Sequence, residues 1–333
     1  MRVNGDKVTI NPHSWHNAAN MLFIDQPVGT GLSYTKSSSY PHNDNEINVH
    51  FYRFLEEFFR MHPRYITSGS NAPLMQTRPL YMTGESHAGH YIPFMAAMIL
   101  KQNKDNAKKK SSSLFHIDLK GIALGNPWTD PFIQYDVSDF MHGLGVITHG
   151  QRNHMKEVER GCQASLKQGK YSDRRCFDLL DDLIAASGSK KKMSMYDARK
   201  YVSGQGEFPP GKQQVEGYLN RPEVRLAIHT TETPQRFTEC ADPPFFALAK
   251  QDGKGATAPL VAVLDDESGV NVLVYSGQYD IICNHLGNEK MIGNYIYKLY
   301  CCRIYIYIYI YIFLFYLYTL YYLCRAFAVE REG

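Results

Sequence analysis

Four short apolar runs constrain the fold of this chain more than any other feature of its sequence. Each run ends in polar residues or glycine, and together they cover residues 20–27, 79–86, 117–127 and 270–280. Apolar runs of this length between turn residues indicate buried strands. Between the first two runs, apolar residues recur at helical spacing from Ile47 to Phe59, which predicts an amphipathic helix. Strands that alternate with helices predict a doubly wound, mostly parallel α/β sheet.

A long polar stretch interrupts this alternation at residues 141–255, where the pattern is mostly helical. We therefore predict a core in two parts, residues 1–140 and 256–300, with an inserted helical lid at 141–255 and a separate tail at 301–333. Ligands of such sheets bind outside the carboxyl ends of the strands. An insertion at that edge would form one wall of the binding site.

Charge and cysteine content exclude some classes of function. The chain has 36 basic and 33 acidic side chains, a formal charge of +3, which is not the basic surface that nucleic-acid binding requires. Its seven cysteines form no C-x-x-C pair or His/Cys cluster at metal spacing, so we expect no structural metal and no cofactor. Cys162 and Cys176 could pair in an oxidising compartment or remain reduced thiols. No signal-peptide pattern is visible in the first fifteen residues.

One serine lies between a predicted strand and a predicted helix, in the stretch Gly84-Glu85-Ser86-His87-Ala88-Gly89. The pattern G-x-S-x-G at such a junction is typical of a nucleophile on a sharp turn, where only small residues fit two positions to either side. Gly84 and Ala88 meet this requirement, although Ala88 departs from the strict glycine. A serine that only caps the helix is the simpler interpretation.

Four segments resemble, in the right order, the landmarks of the serine carboxypeptidase family. They are NMLFIDQPVGTGLSY (20–34), LYMTGESHAGHYIP (80–93), GIALGNPWTDP (121–131) and VLVYSGQYDIICNHLGN (272–288). The resemblance covers residues 8–295. It implies an α/β-hydrolase-like fold with a helical lid and an enzyme that releases single residues from peptide or protein C-termini. It also implies a vacuolar, lysosomal or secreted location.

The resemblance also implies catalytic roles. Ser86 corresponds to the nucleophile and Asp280 to the triad carboxylate, just past the end of a strand where it could fix a histidine tautomer. Without the resemblance, Asp280 would be interpreted as a turn residue. The backbone amide of His87 is expected to stabilise the oxyanion.

Four further residues are expected at the substrate site. Glu85 matches a family glutamate that holds the substrate carboxylate when protonated, which would favour acidic pH; an exposed acid at a helix start is the alternative. Asn126 and Trp128 should line or buttress the pocket, although Trp128 could equally belong to the core. Cys283 matches a cysteine that lines the site, and packing is its alternative role.

The catalytic histidine of the family has no counterpart here. The family places it far downstream of the aspartate beside a methionine, whereas His285 is the only histidine after Asp280. The tryptophan-, asparagine- and glycine-rich segment that precedes these motifs in the family is also not found. We therefore expect a chain truncated at both ends and incomplete or inactive as written. An acyltransferase using the same serine, or a non-catalytic binding relative, remain open alternatives.

The tail at 304–324 alternates isoleucine and tyrosine and has no charge between Arg303 and Arg325. It is long enough for a membrane helix, but its tyrosines suit an interface better. As a strand it would be aggregation-prone. A translated TA repeat from non-coding DNA is the third interpretation and the favoured one, because the alternation begins where the resemblance ends. The sequence leaves the membrane question and the oligomeric state open.

Overall fold

The computed structural model describes residues 2–4, 7–37, 39–67, 74–109, 114–188, 192–202, 212–251, 253–295 and 304–309. Its strands are β1 (Arg2–Asn4), β2 (Lys7–Thr9), β3 (Ile66–Thr67), β4 (Leu74–Gln76), β5 (Leu80–Glu85), β6 (Phe115–His116), β7 (Leu119–Gly125), β8 (Lys192–Met193), β9 (Tyr201–Val202), β10 (Asn271–Gly277) and β11 (Ile304–Tyr309). Its helices are α1 (Asp44–Met61), α2 (Ala88–Lys109), α3 (Pro131–Gln134), α4 (Ser138–Gly143), α5 (His149–Lys167), α6 (Arg174–Ala186), α7 (Lys212–Leu219), α8 (Pro222–Ala227), α9 (Asp242–Leu248), α10 (Thr257–Leu264) and α11 (His285–Tyr295).

The largest sheet has the strand order β11-β10-β7-β5. Strand β7 lies between β5 and β10 and pairs in parallel with both. Its last residue, Gly125, is aligned with Glu85 of β5 on one side and Tyr275 of β10 on the other. The carboxyl ends of three predicted strands therefore meet at one edge of the sheet, which confirms the predicted α/β architecture.

Helices α1 and α10 pack against α2 beside this sheet. Helix α1 begins after Asn43, whose side chain accepts a hydrogen bond from the Glu46 amide at 3.1 Å. Of the six apolar residues at helical spacing, Ile47, Phe51, Leu55 and Phe59 are buried, whereas Phe58 is half-buried and Phe54 is exposed. Burying such a side chain contributes about 1.5–3 kcal/mol. The buried face of α1 thus fixes it against the core.

The strand predicted at residues 20–27 does not form. Residues 20–26 belong to neither a helix nor a strand, and Phe23 exposes 83% of its surface. Apolar composition alone does not make a strand, because the backbone also needs a neighbouring strand to accept and donate its hydrogen bonds. This part of the sequence prediction is wrong for the described structure.

The chain divides into two compact units. Among the described residues, the smaller unit takes those between 2 and 41 and between 212 and 247, together with Tyr309, and the larger takes those between 42 and 202 and between 248 and 308. In the smaller unit the Gln235 side chain donates to the carbonyls of Gly29, Gly31 and Ser33 at 2.9–3.3 Å. The larger unit contains the sheet strands β5, β7 and β10 and the helices from α1 to α6. The predicted boundaries of core and lid stay predictions.

Helices α5 and α6 are joined by a disulfide between Cys162 and Cys176, the pairing that the sequence leaves open. Beside it, the buried Glu159 carboxylate accepts hydrogen bonds from the backbone amides of Val137 and Ser138 at 2.8 and 2.6 Å. Closing a loop of this length contributes about 3 kcal/mol in the chain-entropy model. The disulfide therefore joins α5 to α6, and Glu159 joins α5 to the start of α4.

Only the beginning of the isoleucine and tyrosine tail is described. Residues 304–309 form β11, an edge strand beside β10, and the rest of 310–333 lies outside the described residues. Among the helices that the structure does describe, none combines the length and the apolar character needed to cross a bilayer.

Candidate active site

Ser86 lies in the turn between β5 and α2. Its φ angle is +57°, a left-handed conformation that is unusual for a residue with a side chain. The Ser86 N–H donates to the Gly125 carbonyl at 3.0 Å, and the Ser86 carbonyl accepts from the Trp128 N–H at 2.8 Å. Both backbone polar groups are therefore held by β7 and the loop that follows it. Such strain costs about 1–3 kcal/mol, and it persists only where surrounding contacts hold the residue in the strained conformation.

Close packing explains the small residues around Ser86. A Cβ atom at Gly84 would lie 2.4 Å from the Cβ of Ala88 and 2.9 Å from the Cδ1 of Ile92. The start of α2 therefore crosses the end of β5 without room for a side chain at Gly84. This is the geometry that the G-x-S-x-small pattern predicts at a nucleophile turn.

Asp280 lies three residues after β10, at the same edge of the sheet as Ser86. Its Oδ1 accepts a hydrogen bond from the Cys283 N–H at 3.2 Å, and its Oδ2 accepts one from the Asn126 side-chain amide at 2.8 Å. Asn126 is itself held by the end of β10, since its N–H donates to the Tyr275 carbonyl and its Oδ1 accepts from the Gly277 N–H. Asn126 is thus a direct partner of the carboxylate.

The environment of Asp280 favours its neutral form. Burial raises its pKa to about 7, and the negative charge of Glu85 acts in the same direction. The hydrogen bonds from Cys283, Asn126 and Ile282 oppose this shift. Among the residues that the structure describes, no basic side chain forms a hydrogen bond or ion pair with Asp280. A cation beside it would lower the pKa again.

The Cys283 thiol lies between the two parts of the site, because both the Asp280 carboxyl and the Ser86 side chain act on its pKa. Cys283 is 1% exposed. Burial, followed by the charge of Asp280, raises its pKa well above that of an ordinary thiol. Cys283 is therefore a neutral thiol at physiological pH, and its electrostatic contacts extend to Glu85.

Glu85 precedes Ser86 at the end of β5 and has an exposed side chain. Protein atoms nevertheless displace part of its hydration and raise its pKa. Its negative charge raises the pKa of both Asp280 and Cys283. Glu85 and Asp280 therefore form an acidic pair in which ionising one carboxyl disfavours ionising the other.

The side chain of His87 points into a cluster of rings at the start of α2. Its ring centroid lies 5.5 Å from that of His90 and 4.7 Å from that of Tyr91. Burial, and then the proximity of His90, lower the pKa of His87 to about 4. Within the described residues no protein acceptor receives the His87 N–H, so this donor is available to a ligand at the start of the helix.

A buried contact that the sequence does not suggest supports this cluster. The Nε2 of His90 lies 2.8 Å from the Oδ1 of Asp44, and both residues are buried. The sequence indicates for Asp44 only a place at the start of α1. No local pattern joins two residues 46 positions apart, so only the packing of α1 against α2 reveals the pair.

His285, at the start of α11, forms no hydrogen bond with Ser86 or Asp280 in the described part of the chain. Its ring packs edge-on against that of Phe140, with ring centroids 5.5 Å apart. Burial lowers its pKa, and its buried Nδ1 has no hydrogen-bond partner among the described residues. The structure therefore assigns no base to Ser86 within the part of the chain that it describes.

The remaining expected site residue, Trp128, is buried and packs edge-on against Tyr135 with ring centroids 4.9 Å apart. Its backbone amide contacts Ser86, whereas its ring belongs to the apolar core around α4, α5 and α6.

In the described ranges, no group of three histidine, cysteine or acidic residues could hold a metal ion.

A protein-family model described as serine carboxypeptidase matches residues 1–300 of the chain. The chain is 38% identical over 288 residues to the pheromone-processing carboxypeptidase KEX1 of Phytophthora infestans, covering 85% of this chain and 47% of that protein. It is 40% identical over 296 residues to serine carboxypeptidase S10 family member 2 of Dictyostelium discoideum, covering 87% and 49%. The chain spans about half the length of the curated relatives it matches.

A solved structure is similar over most of the described fold. It is that of KEX1(delta)p, a prohormone-processing carboxypeptidase from Saccharomyces cerevisiae, with a TM-score of 0.74 and 26% identity. The match covers 88% of this chain and 63% of the yeast chain. This chain therefore has the same overall fold as a known carboxypeptidase.

Proposed function

This chain belongs to the serine carboxypeptidase family and has its α/β-hydrolase-like fold, and on that premise we propose that its site releases C-terminal residues from peptides through an acyl-enzyme on Ser86. One observation carries the proposal. The strained Ser86 turn and the loop that carries Asp280 (residues 278–284) lie at the same edge of the sheet, and Cys283 donates its N–H to Asp280 while the Ser86 side chain acts on the pKa of its thiol. A nucleophile and a carboxylate held in this way are two of the three groups that serine hydrolysis needs.

In this proposal the Ser86 hydroxyl attacks the carbonyl carbon of the last peptide bond and gives its proton to a base. The His87 N–H donates a hydrogen bond to the resulting oxyanion. The bond to the C-terminal residue then breaks, and its amine takes the proton from the base. Water hydrolyses the acyl-enzyme by the same steps in reverse order, which restores the Ser86 hydroxyl.

Asp280 would orient the base and stabilise its charged form. Its raised pKa fits a carboxylate that lacks a cationic partner, and an imidazolium nearby would lower that pKa and keep Asp280 ionised. The histidine that supplies this imidazole is unassigned. Removing the base from such a triad costs about six orders of magnitude in turnover, so we expect the 333-residue chain to be a very slow catalyst.

Glu85 would bind the terminal carboxylate of the substrate. A protonated Glu85 can donate a hydrogen bond to that carboxylate, whereas an ionised one repels it. The raised pKa of Glu85 supports this role, because more of the acid form exists at mildly acidic pH. Acidic working conditions follow from this assignment.

Peptide or protein C-termini are the substrates that this chemistry requires. The disulfide between Cys162 and Cys176 supports an oxidising compartment. We therefore propose that the chain acts in a vacuole or lysosome or outside the cell.

A non-catalytic role has one specific observation in its favour. Asp280 has no basic partner among the described residues, and its pKa is raised to about 7, which describes a neutral acid better than a catalytic carboxylate. In that case the pocket would bind peptide C-termini without cleaving them. Binding without any turnover that depends on Ser86 would favour this second function.

Chemical rescue tests the proposed reaction. The purified chain and its Ser86→Ala variant are incubated with a blocked dipeptide and with the corresponding C-terminal ester, with increasing concentrations of imidazole as an external base. We expect slow release of the C-terminal group that rises with imidazole and is absent from Ser86→Ala. An equal response to imidazole in both proteins would reject Ser86 as the nucleophile.

A further inference from the structure

We propose that Gln134 and Asn288 form a buried amide bridge that positions Asp280 relative to Ser86. Neither side chain touches the reacting groups, so both are positioning residues. The inference rests on the proposed function for its catalytic meaning, and on hydrogen bonds between described residues of the larger unit for its geometry.

Gln134, the last residue of α3, uses every hydrogen-bonding position of its side-chain amide. Its Oε1 accepts from the N–H groups of Thr129 and Asp130 at 2.8 and 2.7 Å. Its Nε2 donates to the Pro127 carbonyl at 2.6 Å and to the Oδ1 of Asn288 at 2.9 Å. Gln134 is completely buried. It therefore holds the loop after β7 and reaches across to α11.

Asn288, on α11, continues the bridge to the other loop. Its Nδ2 donates to the Oγ of Ser276 at 2.9 Å and to the Cys283 carbonyl at 3.3 Å. Ser276 belongs to β10, and Cys283 follows Asp280 by three residues. Asn288 is 2% exposed, so water does not compete for these bonds. One side chain thus ties the Asp280 loop to its own strand and to Gln134.

These contacts close a ring around the candidate catalytic groups. On one side Pro127, bound by Gln134, precedes Trp128, whose N–H donates to the Ser86 carbonyl. On the other side Cys283, bound by Asn288, donates its N–H to Asp280, and its thiol is close enough to the Ser86 side chain for Ser86 to affect the thiol pKa. Moving the Asp280 loop away from Ser86 would break at least one of these buried bonds.

The choice of side chains indicates positioning more than packing. Apolar residues could fill the same space without the cost of burying two amides, which is substantial unless every polar atom finds a partner. A fully satisfied amide pair fixes one arrangement, because any displacement leaves a donor or acceptor unpaired. Catalytic groups need such fixing, since small displacements reduce turnover strongly.

The Cys283 thiol provides a readout that does not depend on catalysis. It lies buried inside the ring, whereas Cys240 is an exposed free thiol. Labelling with iodoacetamide, followed by peptide mass spectrometry, gives the rate at Cys283 relative to Cys240 in the same sample. We expect Gln134→Met and Asn288→Leu to raise this ratio roughly tenfold, the effect of one lost buried hydrogen bond on local opening.

Asn103→Leu is the matched control. The Asn103 side chain is also buried and also bonds a backbone, through the N–H and carbonyl of Ile117 at 2.9 and 2.7 Å, but Asn103 lies on α2 outside the ring. It should lower the melting temperature without changing the labelling ratio. If the control raises the ratio as much as the bridge variants do, the bridge has only a general structural role and the proposal is wrong.

Gln134→Glu tests rescue by a conservative change. Its carboxyl can accept the Thr129 and Asp130 bonds at any pH, but it can donate toward Pro127 or Asn288 only when protonated. At each pH the labelling ratio of Gln134→Glu is compared with that of the unmodified chain. We expect the two ratios to be similar at pH 5 and the ratio of the variant to be higher at pH 8. If Gln134→Met does not fold, the test rests on Gln134→Glu. A labelling ratio that is the same at pH 5 and pH 8, relative to the unmodified chain, would overturn the proposal. Failure of the imidazole test with a responsive thiol would reject the proposed reaction and leave the bridge standing.

Discussion

The Asn126 side-chain amide donates a 2.8 Å hydrogen bond to the Asp280 carboxylate across 154 residues of sequence. Asn126 adopts a φ of +40°, a conformation that asparagine tolerates better than most residues. The sequence predicts that Asn126 lines or buttresses the pocket. Given this contact, we expect it to act through Asp280, because its amide is already engaged there.

The first prediction concerns this contact. Asn126→Gly keeps a backbone that tolerates positive φ but removes the amide, which lowers the pKa of Asp280 in the intact chain. The pKa of Asp280 should therefore rise above about 7 in the variant. Carbon-13 NMR titration of labelled aspartate carboxyls would measure the change, with Asp280→Asn to assign the signal. An unchanged or lowered pKa would contradict the observed contact.

The second prediction concerns Asp280 and stability. Its folded pKa, about 7, is raised above the ordinary value of 3.8, so the folded state binds the proton more tightly than the unfolded state does. The associated stability is fully present below the unfolded pKa and is lost as pH rises through 7. Asp280→Asn should therefore raise the melting temperature more at pH 8 than at pH 4.5. A difference of the opposite sign would show that Asp280 already has a cationic partner.

The third prediction concerns His87, where the pH dependence has the opposite direction. Its folded pKa of about 4 lies below the ordinary 6.5, so its contribution is present above pH 6.5 and is lost as pH falls toward 4. Replacement by tyrosine, which does not titrate in this range, should reduce the acid-induced loss of stability. Urea unfolding at pH 7 and pH 4.5 gives the loss in free energy of unfolding for each protein. Equal losses in both proteins would contradict the lowered pKa of His87.

The fourth prediction concerns the close contact beneath the Ser86 turn. Gly84→Ala should destabilise the chain by about 1–3 kcal/mol, because its Cβ would overlap that of Ala88. Gly150→Ala is the control, since no atom lies within 4 Å of a Cβ at that position of α5. The control should be neutral or slightly stabilising. Denaturant unfolding compares the two, and similar free energies of unfolding would contradict the contact.

Features with a local cause are predictable from the sequence. Strands β5, β7 and β10 fall within three of the four apolar runs. The small residues beside Ser86 are typical of a sharp turn because they lie between a predicted strand and a predicted helix. The periodic apolar residues of α1 likewise predict its buried face. In each case the side chains that determine the element are neighbours in sequence, so a short window contains the necessary information.

Features that depend on a distant partner are not predictable in this way. Residues 20–27 have the composition of a strand, but composition does not supply the neighbouring backbone that a strand needs. Asp44 and His90 meet only because α1 packs against α2, and the direction of the Asn126 amide follows from the spacing of β7 and β10. The pairing of Gln134 with Asn288 has the same origin. Glutamine and asparagine carry no sequence pattern that indicates a buried bridge.

The double alignment of Gly125 has a consequence for how the sequence of this site can change. Strand β7 meets Glu85 on one side and Tyr275 on the other at this single glycine, and a Cβ atom there would lie 2.6 Å from the Tyr275 ring. Inserting or deleting one residue within β7 would invert its two faces and misalign both neighbours together. We therefore expect changes in length to be tolerated only in the loops beyond the strand ends. The length of this one strand therefore sets the distance between the turn that carries Ser86 and the loop that carries Asp280.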